Sequence, residues 1–102
     1  MDISVSQGKN TVTIFLKGEL DECAADFARE QIDAAVSHSS IKSVVFDLSQ
    51  LSFMDSTGIG VLIGRYKRMK NRNVVAFVKN PSPSVDKIFK MSGLYQIIPK
   101  VV

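Results

Sequence analysis

A chain of 102 residues with 45% hydrophobic and 23% charged side chains has the material for one small core, and residues 1–102 are read as a single domain. No apolar run reaches the roughly 20 residues that span a bilayer, and Met1-Asp2-Ile3-Ser4 lacks the basic and apolar regions of a signal peptide, so a cytoplasmic protein with no membrane partner is expected. A lone Cys23 excludes an internal disulfide and any multi-cysteine zinc site, and the net charge of +3 is mild.

Ile3 and Val5 alternate with serines, and Val12, Ile14 and Leu16 alternate with Thr11, Thr13 and Lys17. Joined by Gln7-Gly8-Lys9-Asn10, they predict a hairpin. A helix from about Ala24 to Ser37 follows. It carries Ala25, Ala28, Ile32, Ala35 and Val36 on one face and Asp26, Arg29, Glu30 and Asp33 opposite. Val44-Val45-Phe46 and Val74-Val75-Ala76-Phe77-Val78 are continuous apolar runs, the pattern of buried interior strands. Between them a second helix runs from Ser56 or Thr57 to about Asn71, with Ile59, Leu62, Ile63, Tyr66 and Met69 as its core stripe. A third helix has Ser82 as cap, Pro83 in its first turn, and Val85, Ile88 and Phe89 facing inward. Gly93 followed by Leu94 stops it in the manner of a Schellman motif. Ile97-Ile98 is expected to add a short last strand. The order predicts an α/β (α+β) domain: a mixed sheet of four to five strands with packed helices.

The segment Met54-Asp55-Ser56-Thr57-Gly58-Ile59-Gly60 follows the run Val44–Leu48 after a short polar loop and opens the second helix. Helix-start amides have no internal partner and carry positive partial charge, so a phosphate, bound or covalent, suits this place. Three readings compete. A nucleotide loop is disfavoured: Gly58, Gly60 and Gly64 match neither glycine fingerprint, and Lys79 stands where an acid is wanted. Gly60 and Gly64 would rather allow close approach to the sheet or to a partner. A phosphoaspartate receiver would use Asp47 and Lys79, but only Asp2 lies near the first strand, at its wrong end for holding Mg²⁺. Asp47 is then a loop-facing or capping residue. The third reading is phosphorylation of Ser56. From the residues alone, Asp-Ser-Thr-Gly is more often a plain helix cap.

A resemblance shifts that balance. Gly18-Glu19-Leu20-Asp21, the strand Val44–Leu48, Asp55-Ser56 with Gly64-Arg65-Tyr66-Lys67, and Phe89-Lys90-Met91-Ser92-Gly93-Leu94 together resemble the STAS anti-sigma factor antagonists, over nearly the whole chain. The Gly64-Arg65-Tyr66-Lys67 tail resembles the sporulation branch, the antagonists of anti-sigma-F. The resemblance implies a STAS fold and a regulator without catalytic residues, metal or cofactor. It implies that the unmodified form binds an anti-sigma factor that is also a serine kinase, which frees the sigma factor. The kinase then phosphorylates Ser56 from ATP and ends the contact, and a serine phosphatase resets the switch. The resemblance, with the lack of bulk on one helix face, implies a partner surface of Asp21, Asp55, Ser56, Thr57 and Gly58, continued by Gly60, Val61 and Gly64 on the exposed side of the second helix. Two departures stand out. Ala24 replaces a usual threonine, so Asp21 or Glu22 must cap the first helix. Asn71-Arg72-Asn73 replaces glycines, and asparagine tolerates the left-handed geometry.

Rival readings are the general-stress antagonist branch, a STAS adaptor of another system (such as membrane lipid transport) without a phosphorylation switch, and a small nucleotide-binding hydrolase. The intact Asp55-Ser56 argues against the adaptor, and the missing P-loop lysine pattern against the hydrolase. The basic cluster Arg65, Lys67, Arg68, Lys70 and Arg72 could attract nucleic acid or an acidic protein, but it is read as a solvated helix end, without direct DNA binding, because no aromatics interleave it. His38 is read as a solvated loop residue, Cys23 as a small buried residue, and Tyr66 as part of the core stripe.

Overall fold

Alternation of apolar and polar residues builds the first half of the sheet, as anticipated. In the computed structural model, which describes residues 1–101, β1 (Asp2–Gln7) and β2 (Thr11–Leu20) form an antiparallel hairpin, with Ile3 opposite Leu16 and Val5 opposite Ile14. The chain continues through α1 (Ala25–Ala35), β3 (Ser43–Met54), α2 (Ser56–Asn71), β4 (Val75–Lys79) and α3 (Pro83–Ser92), then a single 3₁₀ turn, Leu94–Gln96. The strand order is β1-β2-β3-β4, with β2, β3 and β4 mutually parallel. This is the mixed sheet with packed helices that the pattern predicted.

One face of the sheet holds the core. Val12, Ile14 and Leu16 of β2, Val44, Phe46 and Leu48 of β3, and Ala76 and Val78 of β4 are buried, as are Ala28 and Ile32 of α1, Val61, Leu62 and Met69 of α2, and Val85 and Phe89 of α3. Each large side chain so buried contributes roughly 1.5–3 kcal/mol. The other face is open, and here the expectation of fully buried strands is corrected: Val75 is 52% and Phe15 38% exposed, and Val45 and Phe77 are only half-buried. The valine-rich runs satisfy one covered face and one open face.

Two further corrections concern β3 and the C-terminus. The polar stretch after Leu48 is no loop: β3 runs on to Met54, past two register shifts against β2, one between Phe15 and Lys17 and one between Gly18 and Glu19. Asp47 consequently lies within the strand and is buried, with Oδ1 accepting from the Ser49 amide at 3.0 Å. Ile97-Ile98 forms no strand, because the 3₁₀ turn after left-handed Gly93 uses those residues to bury Leu94 and Ile98. Pairing resumes only at Lys100, in a single parallel bridge to Val78.

The C-terminal segment is held by Asp86 of α3. Its carboxylate accepts from the Tyr95 hydroxyl, from Lys90 Nζ at 2.9 Å and from Lys100 Nζ at 3.3 Å. The Tyr95 hydrogen bond, then the two lysines, hold the Asp86 carboxyl well below the usual carboxylate range. Burial and the bond to Asp86 push the Tyr95 phenol up.

Candidate functional site

The ends of β2 and β3 define the site. Leu20 pairs with Met54, and the Asp55 amide donates to the Leu20 carbonyl at 3.4 Å, so Asp21 and Asp55 leave the sheet side by side. Asp55 is the cap of α2: its backbone is extended, and its Oδ1 accepts from the Gly58 amide at 2.9 Å. Its carbonyl takes the Ile59 amide at 3.0 Å. The amides of Ser56 and Thr57 have no acceptor among the described residues. Ser56 itself is exposed at the first helical position, with a hydroxyl that makes no hydrogen bond among these residues, and Thr57 beside it is half-buried.

Gly58 explains why the helix starts here. A Cβ on it would lie 2.2 Å from the Leu20 carbonyl oxygen and 2.8 Å from Met54 Cγ. No side chain fits, and the absence of one lets α2 begin against the sheet edge. Gly60 and Gly64 differ: a Cβ on either would meet nothing within 4 Å. Of the two alternatives for these glycines, close packing on the sheet is ruled out. They form a bare stripe with Ser56 on the helix face opposite the buried residues Gly58, Val61, Leu62, Arg65 and Met69.

The expected partner surface is therefore assembled in part. Asp21, Asp55, Ser56, Thr57, Gly60 and Gly64 come together at one end and along one stripe. Val61, expected on the exposed side, is completely buried, and Gly58 is buried beneath the helix start. The position of the buried face of α2 decides this: it centres on Gly58, Leu62 and Met69, so Val61 falls inside it, while Ile59, Ile63 and Tyr66 flank it half-buried.

At α1 the expected side-chain cap is absent: Ala24 holds the cap position, and Asp21 Oδ1 instead accepts from the Ala24 amide at 3.1 Å, bracing the turn that precedes the helix. Asn73 takes the left-handed conformation at φ 59°, as the turn before β4 requires. Cys23 is exposed rather than buried, on the rim of a shallow groove with Met1, Gly18, Glu19, Asp21 and Ala24. His38 is an exposed loop residue, as expected.

The reading of the basic cluster as one solvated helix end fails at Arg65, which is 9% exposed. Its Nε lies 3.0 Å from Asp33 Oδ1, off the line of a hydrogen bond, so the contact is an ion pair, and Nη1 has no partner among the described residues. The pair ties α2 to α1. A charged face on α1 and a basic face on α2 gave a signal for it in sequence, but one with many possible pairings. Among the described residues no three His, Cys, Asp or Glu side chains gather as metal ligands.

An aspartate cap, a free serine after it, a glycine pressed on the neighbouring strand and a mixed four-stranded sheet together define a particular class of domain. The STAS domain model matches residues 2–102, and the chain belongs to the STAS family. It is 34% identical, over 97% of its own length and 85% of the relative's, to the anti-sigma F factor antagonist of Paenibacillus polymyxa. It is also similar to the Bacillus cell fate determinant SpoIIAA solved in its phosphorylated form (30% identity, TM-score 0.74, covering 99% of this chain and 92% of that one). The unphosphorylated form of the anti-sigma factor antagonist SpoIIAA gives 31% identity and a TM-score of 0.70, over 88% of this chain and 83% of that one.

Proposed function

We propose that this protein is an anti-sigma factor antagonist of the sporulation type, acting in the cytoplasm and switched by phosphorylation of Ser56. In this reading the unmodified protein binds an anti-sigma factor that is also a serine kinase, and so releases the sigma factor. The observation that carries it is the division of labour at the start of α2: Asp55 caps the helix, which leaves the Ser56 hydroxyl exposed and uncommitted. The relatives, named for that antagonism and solved with and without phosphate, support it.

In the kinase step the Ser56 oxygen bonds to the γ-phosphorus of ATP and the bond to the bridging oxygen breaks. ADP leaves, and the hydroxyl proton passes to a base of the kinase. The phosphate adds about −1.5 to −2 charge. The free amides of Ser56 and Thr57 and the helix dipole favour it, while Asp55 and Asp21 repel it. The fold should survive, but an interface fitted to the neutral serine should not. A partner that must bury the new dianion beside two carboxylates, without added cations, loses on the order of 3–5 kcal/mol, or at least a hundredfold in affinity. Hydrolysis by a serine phosphatase restores the hydroxyl.

The test is incubation with the anti-sigma kinase of the same organism and ATP, read by intact mass, then calorimetric titration of both forms. Wild type is expected to take up one phosphate and lose affinity. Ser56→Ala should bind but remain unmodified. Uptake of a full equivalent by Ser56→Ala would refute the assignment.

A further inference from the structure

The structure sorts the five basic residues between positions 65 and 72 into different roles. Arg65 and Arg68 converge on Asp33, at 3.0 and 3.6 Å. Arg72 donates to the carbonyls of Val36 and His38, closing the loop after α1. Lys70 stands beside Tyr66 over the groove that Val74, Ile97 and Pro99 border. Lys67 is exposed and has neither an ion-pair nor a hydrogen-bond partner among the described residues.

Lys67 also shares a stripe with Ser56, Gly60 and Gly64, since steps of four, four and three residues stay on one helix face. Eleven residues of helix place it about 16 Å from Ser56. The Ser56 end is acidic, with Asp21 and Asp55 adjacent and Glu19 and Glu22 exposed close by in the chain. The middle of the stripe is bare, because the two glycines leave open space. The stripe is thus acidic at one end, backbone in the middle and basic at the other.

We infer that Lys67 is the second anchor of the docking surface and reads a carboxylate on the anti-sigma factor. This rests on the proposed role of the Ser56 end. A stable interface covers about 800 Å² per partner, a patch about 30 Å across. A partner centred between Ser56 and the bare glycines therefore reaches Lys67. Among the described residues nothing on this stripe neutralises its ammonium, so the complementary partner brings an acid there, and bases or hydrogen-bond donors to the Asp21–Asp55 end. Such a pair chiefly sets specificity and association rate, in a salt-dependent way. Phosphorylation leaves it untouched, so a modified protein keeps one anchor while losing the other.

The experiment is titration of the anti-sigma factor of the same organism with wild type, Lys67→Glu, Ser56→Asp and Lys17→Glu, at low and high salt. Lys17 is exposed on the open face of the sheet, so its reversal changes net charge without touching α2. Lys67→Glu should bind roughly tenfold more weakly at low salt, with the gap shrinking at high salt, and Lys17→Glu within about twofold of wild type. The loss from Ser56→Asp should add to that from Lys67→Glu, since sites more than about 10 Å apart act independently. Lys67→Glu binding like wild type, while Ser56→Asp weakens, would overturn the second anchor alone and leave Lys67 a solvated helix end. Equal binding by Ser56→Asp and wild type would overturn the reading of the site and this inference with it.

Discussion

Helices α2 and α3 begin alike and end up serving different purposes. Each opens with a short polar cap, Asp55 for α2 and Ser82 for α3, whose side chain accepts from the amide three residues on. In α3 the serine is itself the cap. Its Oγ accepts from Val85 at 3.4 Å and donates to the Leu51 carbonyl at 3.2 Å, so it is committed to structure. The next position is Pro83, and the third is Val85, buried in the core. In α2 an aspartate caps, which moves the serine one place into the helix and frees its hydroxyl. The third position is Gly58, jammed against Leu20. A one-residue offset between serine and cap separates a serine that holds the fold from one whose hydroxyl is left exposed and uncommitted.

The third position should separate the two helices most. Gly58→Ala must displace the Leu20 carbonyl or lift the helix start, and is expected to cost about 3 kcal/mol, at the upper end of overpacking penalties. Val85→Ala creates a cavity instead and should cost a comparable amount, about 2–3 kcal/mol. Urea unfolding measures both. Only Gly58→Ala should also abolish phosphorylation of Ser56 at a denaturant concentration where the variant remains folded. A Gly58→Ala protein of wild-type stability would mean that α2 can start elsewhere.

The caps come next. Asp55→Ala and Ser82→Ala should each cost about 1 kcal/mol, Ser82→Ala slightly more because the Leu51 carbonyl also loses its donor. Thermal unfolding of the pair sharpens the comparison. If Asp55→Ala were neutral, Ser56 would have taken over the cap, and its availability to a kinase would fall in the same variant.

The mildest contrast lies at the fourth position, Ile59 in α2 and Asp86 in α3. The depressed carboxyl of Asp86 contributes stability that is complete above its unfolded pKa of about 4 and is lost as pH falls below it toward the folded value. The raised phenol of Tyr95 acts in the opposite direction: its contribution is complete below about pH 10 and is lost as pH rises beyond it. A plot of unfolding midpoint against pH should therefore be flat between these limits, with an acid limb that Asp86→Asn flattens. An unchanged acid limb in that variant would detach the carboxylate from the C-terminal segment.

What could be read from sequence followed from local rules. The hairpin, the Ser82-Pro83 start and the Gly93 stop each depend on residues within a few positions of one another, and all three formed where expected. The element order, the mixed sheet and the start of the second helix at Asp55-Ser56 also followed from local pattern and formed as expected. What escaped was set by distant partners. Whether Val61 or Ile59 faces the core depends on how α2 rolls on the sheet. Whether Arg65 is solvated depends on Asp33, 32 positions away. The continuation of β3 through Ser49 and Gln50 depends on β2 supplying register partners as far as Leu20. Period and composition hold no information on these pairings.

The parallel pairing of β2 with β3 has a consequence for how the protein comes into being. Thr11 and Ser43 open that ladder, and the chain must bring together residues 32 positions apart to join them. Such non-local closures slow folding relative to hairpins and helices. Strands β1 and β2 can find each other early, whereas Leu20 meets Gly58 only after β3 has zipped alongside β2. The serine is in the chain from the start, but the helix end that presents it depends on long-range pairing of β2 with β3. On the proposed reading, a kinase that needs this helix end should therefore distinguish a finished molecule from a nascent or damaged one.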